Sequence, residues 1–350
     1  MRLKLNILLI PLLALLSCAK ESGGRVDYGP ETGNLYVRFD VSDMTLPQIV
    51  GVKEDNEDEG HVLLEDGVMR EGRMWLVDKD DNVVVFRKME DSNSNSMQQT
   101  FTNIKRGEYK LYILLNSTEL DGFTKGTQID DNFKEKCLAT IAYGASPEYT
   151  VESGVPCSIV KDVAIAAGKN YVDVSLQRCV GRLTVVVLNN IHDCKLAIGG
   201  IGLSAVNPST GYYFPQSDGS VPGYTNLAFH DLASTVVLPP SKNKIIFDRY
   251  IYETKDIPEG LSFRLFGAVY GGTKEPTISG NSFVDPDAVL PNGEIKINYI
   301  DDYGVSKLLT RIKRNEHVTV SINVSYDREY MQFDFTVKAW VTKDNKTTFD

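Results

Sequence analysis

The sequence predicts a mainly β protein, built of two β-sandwich domains with few short helices, and three observations support this fold class. Apolar and polar residues alternate strictly over several short segments, which is the period of a half-buried strand. Turn-forming residues separate these segments, as is typical of β-sandwiches. Helical periodicity is weak, and residues 130–142 are the best candidate for a short helix.

The first and last predicted strands carry the clearest alternation. The apolar face of the first strand comprises Leu35, Val37, Phe39 and Val41. The apolar face of the last strand comprises Met331, Phe333, Phe335, Val337, Ala339 and Val341. Between the first strand and the next lies an acidic segment, residues 53–71, which we expect to be a solvated loop because like charges repel.

The beginning of the chain has the features of a secretory signal peptide. A basic start and an apolar run of about ten residues lead to the sequence Leu-Leu-Ser-Cys, and the run is too short for a transmembrane helix. The segment that ends at Cys18 resembles the lipobox of bacterial lipoproteins. We therefore expect residues 1–17 to be removed and Cys18 to carry a lipid, since several acyl chains together anchor a protein stably.

Size and charge limit the possible functions. The chain has 350 residues and a formal net charge of −10, and 42% of its residues are hydrophobic. About 330 residues remain after the signal peptide, which suggests two domains. We expect these domains to span residues 18–176 and 177–350. The acidic balance argues against nucleic-acid binding, which depends on Lys and Arg neutralising phosphates.

Motifs for catalysis, metal binding or cofactor binding are missing from the sequence. None of the four histidines has HExxH spacing, and there is no Gly-x-Ser-x-Gly elbow. The sequence therefore predicts no enzyme activity, no cofactor and no metal site. Besides Cys18, the chain contains Cys137, Cys157, Cys179 and Cys194. Their spacing includes no CxxC, so two disulfides and buried free thiols both remain open.

Five segments, taken in order, resemble the fimbrillin superfamily of Bacteroidales, whose members are subunits of type V pili. The segments are the lipobox at Cys18, the strand at residues 35–41 with the long loop after it, residues 101–109 leading to 114–116, residues 176–183, and the C-terminal segments 313–318 and 335–341. The resemblance covers nearly the whole chain and rests on the order of the segments more than on any one motif.

The resemblance implies two transthyretin-like β-sandwich domains and assembly by donor-strand exchange. In such proteins a lipidated precursor reaches the outer membrane, and a trypsin-like protease cuts after an arginine in the loop behind the first strand. The first strand then leaves, and a C-terminal strand of another subunit fills the groove. In this sequence, the removable strand is residues 35–41 and the candidate donor strand is residues 331–341.

Arg70, followed by Glu71, is the candidate cleavage site that the resemblance implies. Arg73 lies too close to the next predicted strand, and a cut at Arg25 or Arg38 would not release the first strand. An acidic residue directly after the arginine slows many trypsin-like enzymes, which counts against this site.

The expected partners are other fimbrial subunits, the outer membrane through the lipid anchor, and a ligand on a host or bacterial surface. The complete C-terminal strand pair favours a stalk subunit, whereas retention of the first strand would make the protein an anchor. The alternative function is an outer-membrane lipoprotein that binds glycans, which usually requires clustered exposed aromatic residues. Here Trp75 and Trp340 lie in predicted strands, and residues 212–214 form the one aromatic cluster.

Overall fold

The computed structural model describes twelve stretches of the chain, and every regular element in them is a β-strand. The stretches are residues 31–40, 69–89, 96–117, 120–129, 138–140, 154–204, 210–215, 229–279, 282–291, 293–300, 305–326 and 331–341. Within them, no helix is long and apolar enough to cross a membrane. The fold class predicted from alternation, mainly β with packed sheets, is therefore confirmed.

Among the described residues, nine strands lie in the first half of the chain. They are β1 Thr32–Asp40, β2 Gly72–Val77, β3 Val83–Met89, β4 Ser96–Lys105, β5 Gly107–Leu115, β6 Leu138–Thr140, β7 Cys157–Ile165, β8 Gly168–Ser175 and β9 Gln177–Arg178. A three-stranded sheet in the order β4-β1-β8 faces a five-stranded sheet in the order β3-β2-β5-β7-β9. Apolar side chains from both sheets form a buried core that includes Val37, Phe101 and Leu111.

The described ranges of the second half contain a further fourteen strands. They are β10 Val180–Asn189, β11 Cys194–Ser204, β12 Thr210–Tyr212, β13 Phe229–Leu238, β14 Asn243–Tyr252, β15 Ser262–Gly271, β16 Ile278–Ser279, β17 Ser282–Phe283, β18 Ala288–Val289, β19 Ile295–Lys296, β20 Asn298–Ile300, β21 Ser306–Leu308, β22 Glu316–Tyr326 and β23 Met331–Val341. A four-stranded sheet, β14-β10-β22-β23, packs on a sheet in the order β13-β11-β15-β18. Their shared core includes Val185, Leu265 and Val320.

The two halves repeat one pairing pattern around their first long strand. β1 pairs antiparallel with β4 and parallel with β8. β10 pairs antiparallel with β14 and parallel with β22. β23 is added to the free side of β22, and among the described residues β8 has no such neighbour. β9 belongs to the five-stranded sheet of the first half and β10 to the four-stranded sheet of the second. We propose that the boundary between the two domains lies between these strands.

A third core joins the two halves across the outer face of the five-stranded sheet. Trp75 on β2 is fully buried there and donates from its indole Nε1 to the carbonyl of Phe123 at 2.7 Å. The ring of Phe214, from the second half, meets Trp75 edge-on at 6.4 Å between centroids. Tyr250 and Tyr252 of β14 belong to the same cluster. Because the sheet is covered on both faces, all six residues of β2 are buried.

One sequence prediction fails within the described residues. Residues 130–142 were predicted as a short helix, yet Leu138–Thr140 is strand β6, paired antiparallel with β12. Apolar spacing of four residues is a weak signal over so short a segment. A strand partner about seventy residues further along the chain supplies backbone hydrogen bonds that local spacing does not reveal. The rest of the segment lies outside the described residues.

Replacing Phe214 by alanine should destabilise both halves together. The ring is buried among residues of both, so its loss leaves a cavity that costs about 3–5 kcal/mol. The measurement is the free energy of unfolding in urea. Val289→Ala is the control, since that side chain is 59% exposed and should change stability little. Equal stability of the Phe214 variant and the parent protein would contradict the joining role of this core.

Candidate functional site

The predicted removable strand, β1, occupies the middle of the three-stranded sheet. On one side its residues pair with β4, from Thr32 opposite Lys105 to Asp40 opposite Ser96. On the other side they pair with β8, from Gly33 to Asp40. Within the sheets that the structure describes, β4 and β8 are joined through β1 alone. Taking β1 away would therefore leave two strands whose facing backbone edges have lost their partner.

The inner face of β1 is buried as its alternation predicts. Leu35 and Val37 are fully buried and Phe39 nearly so, and all three belong to the core of the first half. Val41, the fourth residue predicted for this face, lies outside the described residues. The side chains of β1 therefore fill a continuous apolar groove between β4 and β8, above the five-stranded sheet.

The outer face of β1 makes two contacts with β8 that run side by side. The rings of Tyr36 and Tyr171 stack with centroids 5.0 Å apart and planes inclined by 22°. Two residues further along, Arg38 donates to Asp173 in a bidentate ion pair, from Nε at 2.7 Å and from Nη2 at 3.1 Å. Both contacts lie on the solvent side of the sheet, where Tyr36 is half-buried and the other three side chains are exposed. They fix which residues of β1 and β8 face one another. A strand that took the place of β1 could contact Tyr171 and Asp173 in the same way.

The beginning of β1 fits closely against the turn before β8. A Cβ atom added to Gly33 would lie 2.0 Å from the carbonyl oxygen of Ala166 and 2.8 Å from Nδ2 of Asn170. The Asn170 side chain itself donates to the carbonyls of Asn34 and Ala166. The groove is consequently closed at this end to any residue with a side chain unless the turn moves.

The candidate cleavage site lies directly before β2. The amide of Arg70 donates to Oδ1 of Asn116 at 2.8 Å, and the carbonyl of Glu71 accepts from the amide of Asn116. Met69 is buried in the first core, whereas Arg70 and Glu71 are half-buried. Arg73 is inside β2 and fully buried, with ion pairs to neighbouring carboxylates, so of these two arginines Arg70 is the more accessible.

The candidate donor strand, β23, forms the edge of the four-stranded sheet in the second half. It pairs antiparallel with β22 along its whole length, from Met331 opposite Tyr326 to Val341 opposite Glu316. Phe333, Phe335, Val337 and Ala339 stand opposite Val324, Ile322, Val320 and Val318, which are fully buried or nearly so. Phe333 packs against the second core. β1 and β23 therefore lie in different sheets of one chain.

A buried polar cluster lies on the other face of the same sheet, beside β23. Thr184 donates to Oδ1 of Asp248 at 2.8 Å, and its hydroxyl oxygen is 2.9 Å from Nε2 of His317. Arg182 also binds Asp248, with Nε 2.7 Å from Oδ1. Burial, and then the positive charge of Arg182, lower the pKa of His317 to about 4. This histidine is neutral in the folded protein, and β22 places it opposite Trp340.

The described residues can be compared with the expectations for disulfides and for metal sites. The thiols of Cys157 and Cys179 are buried and donate to the carbonyls of Val155 and Tyr213, at 3.2 Å in each case, and Cys194 is half-buried. Cys18 and Cys137 lie outside the described ranges. Within the described ranges, no group of three or more His, Cys, Asp or Glu residues is placed to hold a metal ion. The acidic turn around Asp78 is held by hydrogen bonds within the turn, since Oδ1 of Asp78 accepts from the amides of Asp80 and Asn82.

The aromatic cluster that represented the glycan-binding alternative is largely internal. Tyr213 and Phe214 are buried in the core that joins the two halves, and so is Trp75. Packing in that core accounts for these three rings, and they offer no exposed surface for a sugar.

Tyr171 and Asp173 contact β1 from β8, and the sequence did not predict either contact. A signal for them exists, because Tyr171 and Asp173 alternate with Val172 and Val174 on β8. Alternation assigns a residue to a face of its strand, but it does not name the neighbouring strand. Only the parallel pairing of β8 with β1 brings these two residues beside Tyr36 and Arg38.

Comparison with solved structures identifies the class of fold. No protein-family model matches the chain, and no curated protein matches it. Solved structures of fimbrial and cell-adhesion proteins from Bacteroidales do match, at identities that show a shared fold. The chain thus has the fimbrillin-type β-sandwich fold, as its resemblance to that superfamily implied.

Three of these structures illustrate the likeness. A Parabacteroides distasonis protein assigned to cell adhesion has a TM-score of 0.55 and 11% identity, with 89% of this chain and 97% of that chain covered. A fimbrilin of Porphyromonas gingivalis W83 has a TM-score of 0.53 and 12% identity, with coverage of 89% and 98%. The tip fimbrial protein Mfa3 of Porphyromonas gingivalis has a TM-score of 0.51 and 14% identity, with coverage of 88% and 99%.

Lowering the pH should destabilise the protein through His317. Its pKa is about 4 when folded and 6.5 when unfolded, so between these values the unfolded chain binds a proton that the folded protein does not. Stability is therefore fully present above pH 6.5 and falls as the pH drops towards 4. Urea denaturation across this range measures the loss. His317→Gln should flatten the dependence, and an equally steep profile in that variant would assign the loss to other groups.

Proposed function

We propose that this chain is a structural or adhesive subunit of a surface pilus, assembled by donor-strand exchange after proteolytic removal of β1. The observation that carries the proposal is the position of β1 between β4 and β8. The shared fold with fimbrial proteins supports a pilus subunit. The strand geometry supports the mode of assembly, since no other pairing joins β4 to β8 within the described sheets.

Removing β1 would remove apolar side chains from the core and leave backbone groups unpaired, and a replacement strand would restore both interactions. Three buried side chains, Leu35, Val37 and Phe39, would leave the core, each worth about 1.5–3 kcal/mol of burial. Two strand edges would lose their backbone partners at once. A strand added in this groove makes main-chain hydrogen bonds along both edges and fills a pocket at every second residue.

Replacement of β1 is favoured over addition of a strand at the outer edge of β8. Lys161 on β7 extends to β8 and donates from Nζ to the main-chain carbonyl of Asp173 at 2.6 Å. Lysines placed along an edge strand are a common protection against unwanted strand pairing. An incoming strand is therefore expected to pair between β4 and β8, at the position that β1 has left.

β23 has the pattern that a donor requires. Its apolar positions alternate over eleven residues, and its pairing to the rest of its chain is along one edge, to β22. A strand at the edge of a sheet can leave with the loss of one row of backbone bonds, whereas a central strand loses two. Because β1 and β23 lie in different sheets, we propose that β23 of one subunit fills the groove of the next. The complete β22–β23 pair supports a stalk position.

Export and processing complete the proposal. Lipid attached to Cys18 holds the precursor at the outer membrane, and a trypsin-like protease cuts between Arg70 and Glu71. The new chain then begins at Glu71, whose carbonyl bond to Asn116 holds the start of β2 in place. The segment that leaves carries β1 and Met69, and the partners of the processed subunit are other pilus subunits and a surface ligand.

Arg70→Ala should block fibre formation while leaving the lipoprotein folded. Arg70 is the only arginine between β1 and β2, so a protease specific for arginine loses its site there. N-terminal sequencing of sheared surface material should give Glu71 in the parent protein. In the variant, the protein should remain in the membrane fraction with a blocked terminus at Cys18.

The control is Arg311→Ala, an exposed arginine outside this segment, which should leave processing unchanged. Fibres of normal length from the Arg70 variant would remove Arg70 from the mechanism. A blocked terminus in the parent protein, found only in the membrane, would instead favour an anchor subunit or a different lipoprotein.

Deletion of residues 331–350 should produce a subunit that accepts a donor strand but supplies none. Mixed with the full-length subunit, it should cap growing fibres and shorten them in proportion to its share of the mixture. Electron microscopy of fibre lengths gives the measurement. A truncated subunit that also keeps β1, because Arg70→Ala prevents its cleavage, should neither add nor cap. Unchanged fibre lengths with folded truncated protein would show that β23 is not the donor.

A further inference from the structure

We infer that Asn116 controls the rate of processing, because it holds the bond between Arg70 and Glu71 in a folded form that a protease cannot bind. The inference rests on the proposed function, in which a trypsin-like protease hydrolyses this bond. Hydrolysis adds water across the bond and leaves a carboxylate on Arg70 and an ammonium group on Glu71. Before that step, the residues around the bond must be released from the fold.

Asn116 is hydrogen-bonded to the residues on both sides of the bond that is cut. Its side-chain Oδ1 accepts from the amide of Arg70 at 2.8 Å, and its main-chain amide donates to the carbonyl of Glu71 at 2.8 Å. The side chain is itself held in place, since Nδ2 donates to the carbonyl of Val155 at 2.9 Å. One residue, directly after β5, thus ties down both ends of the scissile peptide.

The residues that flank the bond are also held by the fold. Met69 is buried in the first core, with 1% of its surface exposed. Glu71 forms an ion pair with the buried Arg73, with Oε2 2.9 Å from Nη1. Gly72, the second residue after the bond, is paired on both sides, to β3 and to β5. All four residues from 69 to 72 are therefore engaged in the folded precursor.

A protease binds several consecutive residues around the bond that it cuts, and it binds them in an extended form. Exposed loop tips meet this requirement directly, whereas a folded segment is cut through its transiently open form. When opening and closing are fast compared with cutting, the rate of cutting follows the equilibrium population of the open form. Opening here breaks both bonds to Asn116 and exposes Met69. Partial exposure of the Arg70 side chain is consequently not sufficient for cutting.

The same contacts connect processing to the folding of the first half. Met69 belongs to the core that the inner face of β1 fills, and Asn116 follows the central strand of the five-stranded sheet. The bond is thus protected once this half has folded with β1 in place. Cutting then proceeds from an open minority of precursors, and Asn116 sets the size of that minority.

The first measurement compares the folded precursor with a peptide of the same sequence. A peptide of residues 60–72 with blocked ends contains Arg70 as its one arginine and keeps the acidic residue after it. Both substrates are treated with an arginine-specific protease, and cutting after Arg70 is followed by mass spectrometry. The peptide should be cut faster by about a hundredfold or more, because opening the precursor gives up two hydrogen bonds and the burial of Met69. Equal rates would show that the bond is not protected and would overturn the inference.

Asn116→Gly separates the side chain of this residue from its backbone. Glycine adopts the φ of 57° found at Asn116 without strain, and it keeps the main-chain amide that binds Glu71. The folded variant should be cut about two- to tenfold faster than the parent precursor, the range for the one hydrogen bond to Arg70 that opening no longer breaks. The global stability of each precursor is measured by urea denaturation.

Ile165→Ala is the matched control for general destabilisation. Ile165 is buried in the same core but lies at the other end of the sheet, opposite Gly107 of β5. Its replacement should lower the urea midpoint and leave the rate of cutting after Arg70 unchanged, because the local opening does not involve it.

Two results would overturn the role of Asn116. One is an unchanged rate of cutting in Asn116→Gly. The other is equal acceleration in Asn116→Gly and Ile165→Ala, since cutting would then follow global unfolding. Both leave the proposed function intact, which N-terminal sequencing of sheared fibres tests separately. A start other than Glu71 in those fibres would remove Arg70 as the processing site, and the inference with it.

Discussion

The first half of the molecule depends on β1, because this strand is paired along both edges. β4 and β8 come from distant parts of the sequence and are joined in one sheet only through it. Its inner face also contributes three side chains to the core, including Val37, and its outer face carries the stack and the ion pair with β8. Backbone pairing, core packing and surface contacts are thus concentrated in a single segment of nine residues.

The five-stranded sheet does not depend on β1 alone for its packing. It is packed on both faces, by β1 and its neighbours on one side and by the aromatic core around Trp75 and Phe214 on the other. The second of these faces contains nothing from β1. Loss of β1 would therefore uncover part of one face of the five-stranded sheet and leave the other face packed. The sheet would still form the base of the groove until another strand binds.

The sequence predicted the strands better than it predicted their neighbours. Alternation correctly assigned Val37 to a buried face, because the period of a strand is a local property. It did not reveal that β8 runs parallel to β1, and so it missed Tyr171 and Asp173. The error at residues 138–140 has the same origin, since the partner of that strand lies in the second half. The proposed cleavage at Arg70 and the proposed lipidation of Cys18 rest on sequence motifs and on the family resemblance.

In the proposed mechanism, the fit of β1 in its groove explains why a cut is needed. In the uncut chain β1 fills the groove with Leu35, Val37 and Phe39, all of them buried. Replacing a buried large side chain by a smaller one costs about 0.5–5 kcal/mol per site. A tethered strand also competes at a high effective concentration, which a free subunit does not match. In this proposal β1 therefore stays in its groove until the backbone is cut, and cleavage removes the tether. The released strand would then diffuse away and a donor strand would take its place, so that the proposed assembly would proceed in one direction.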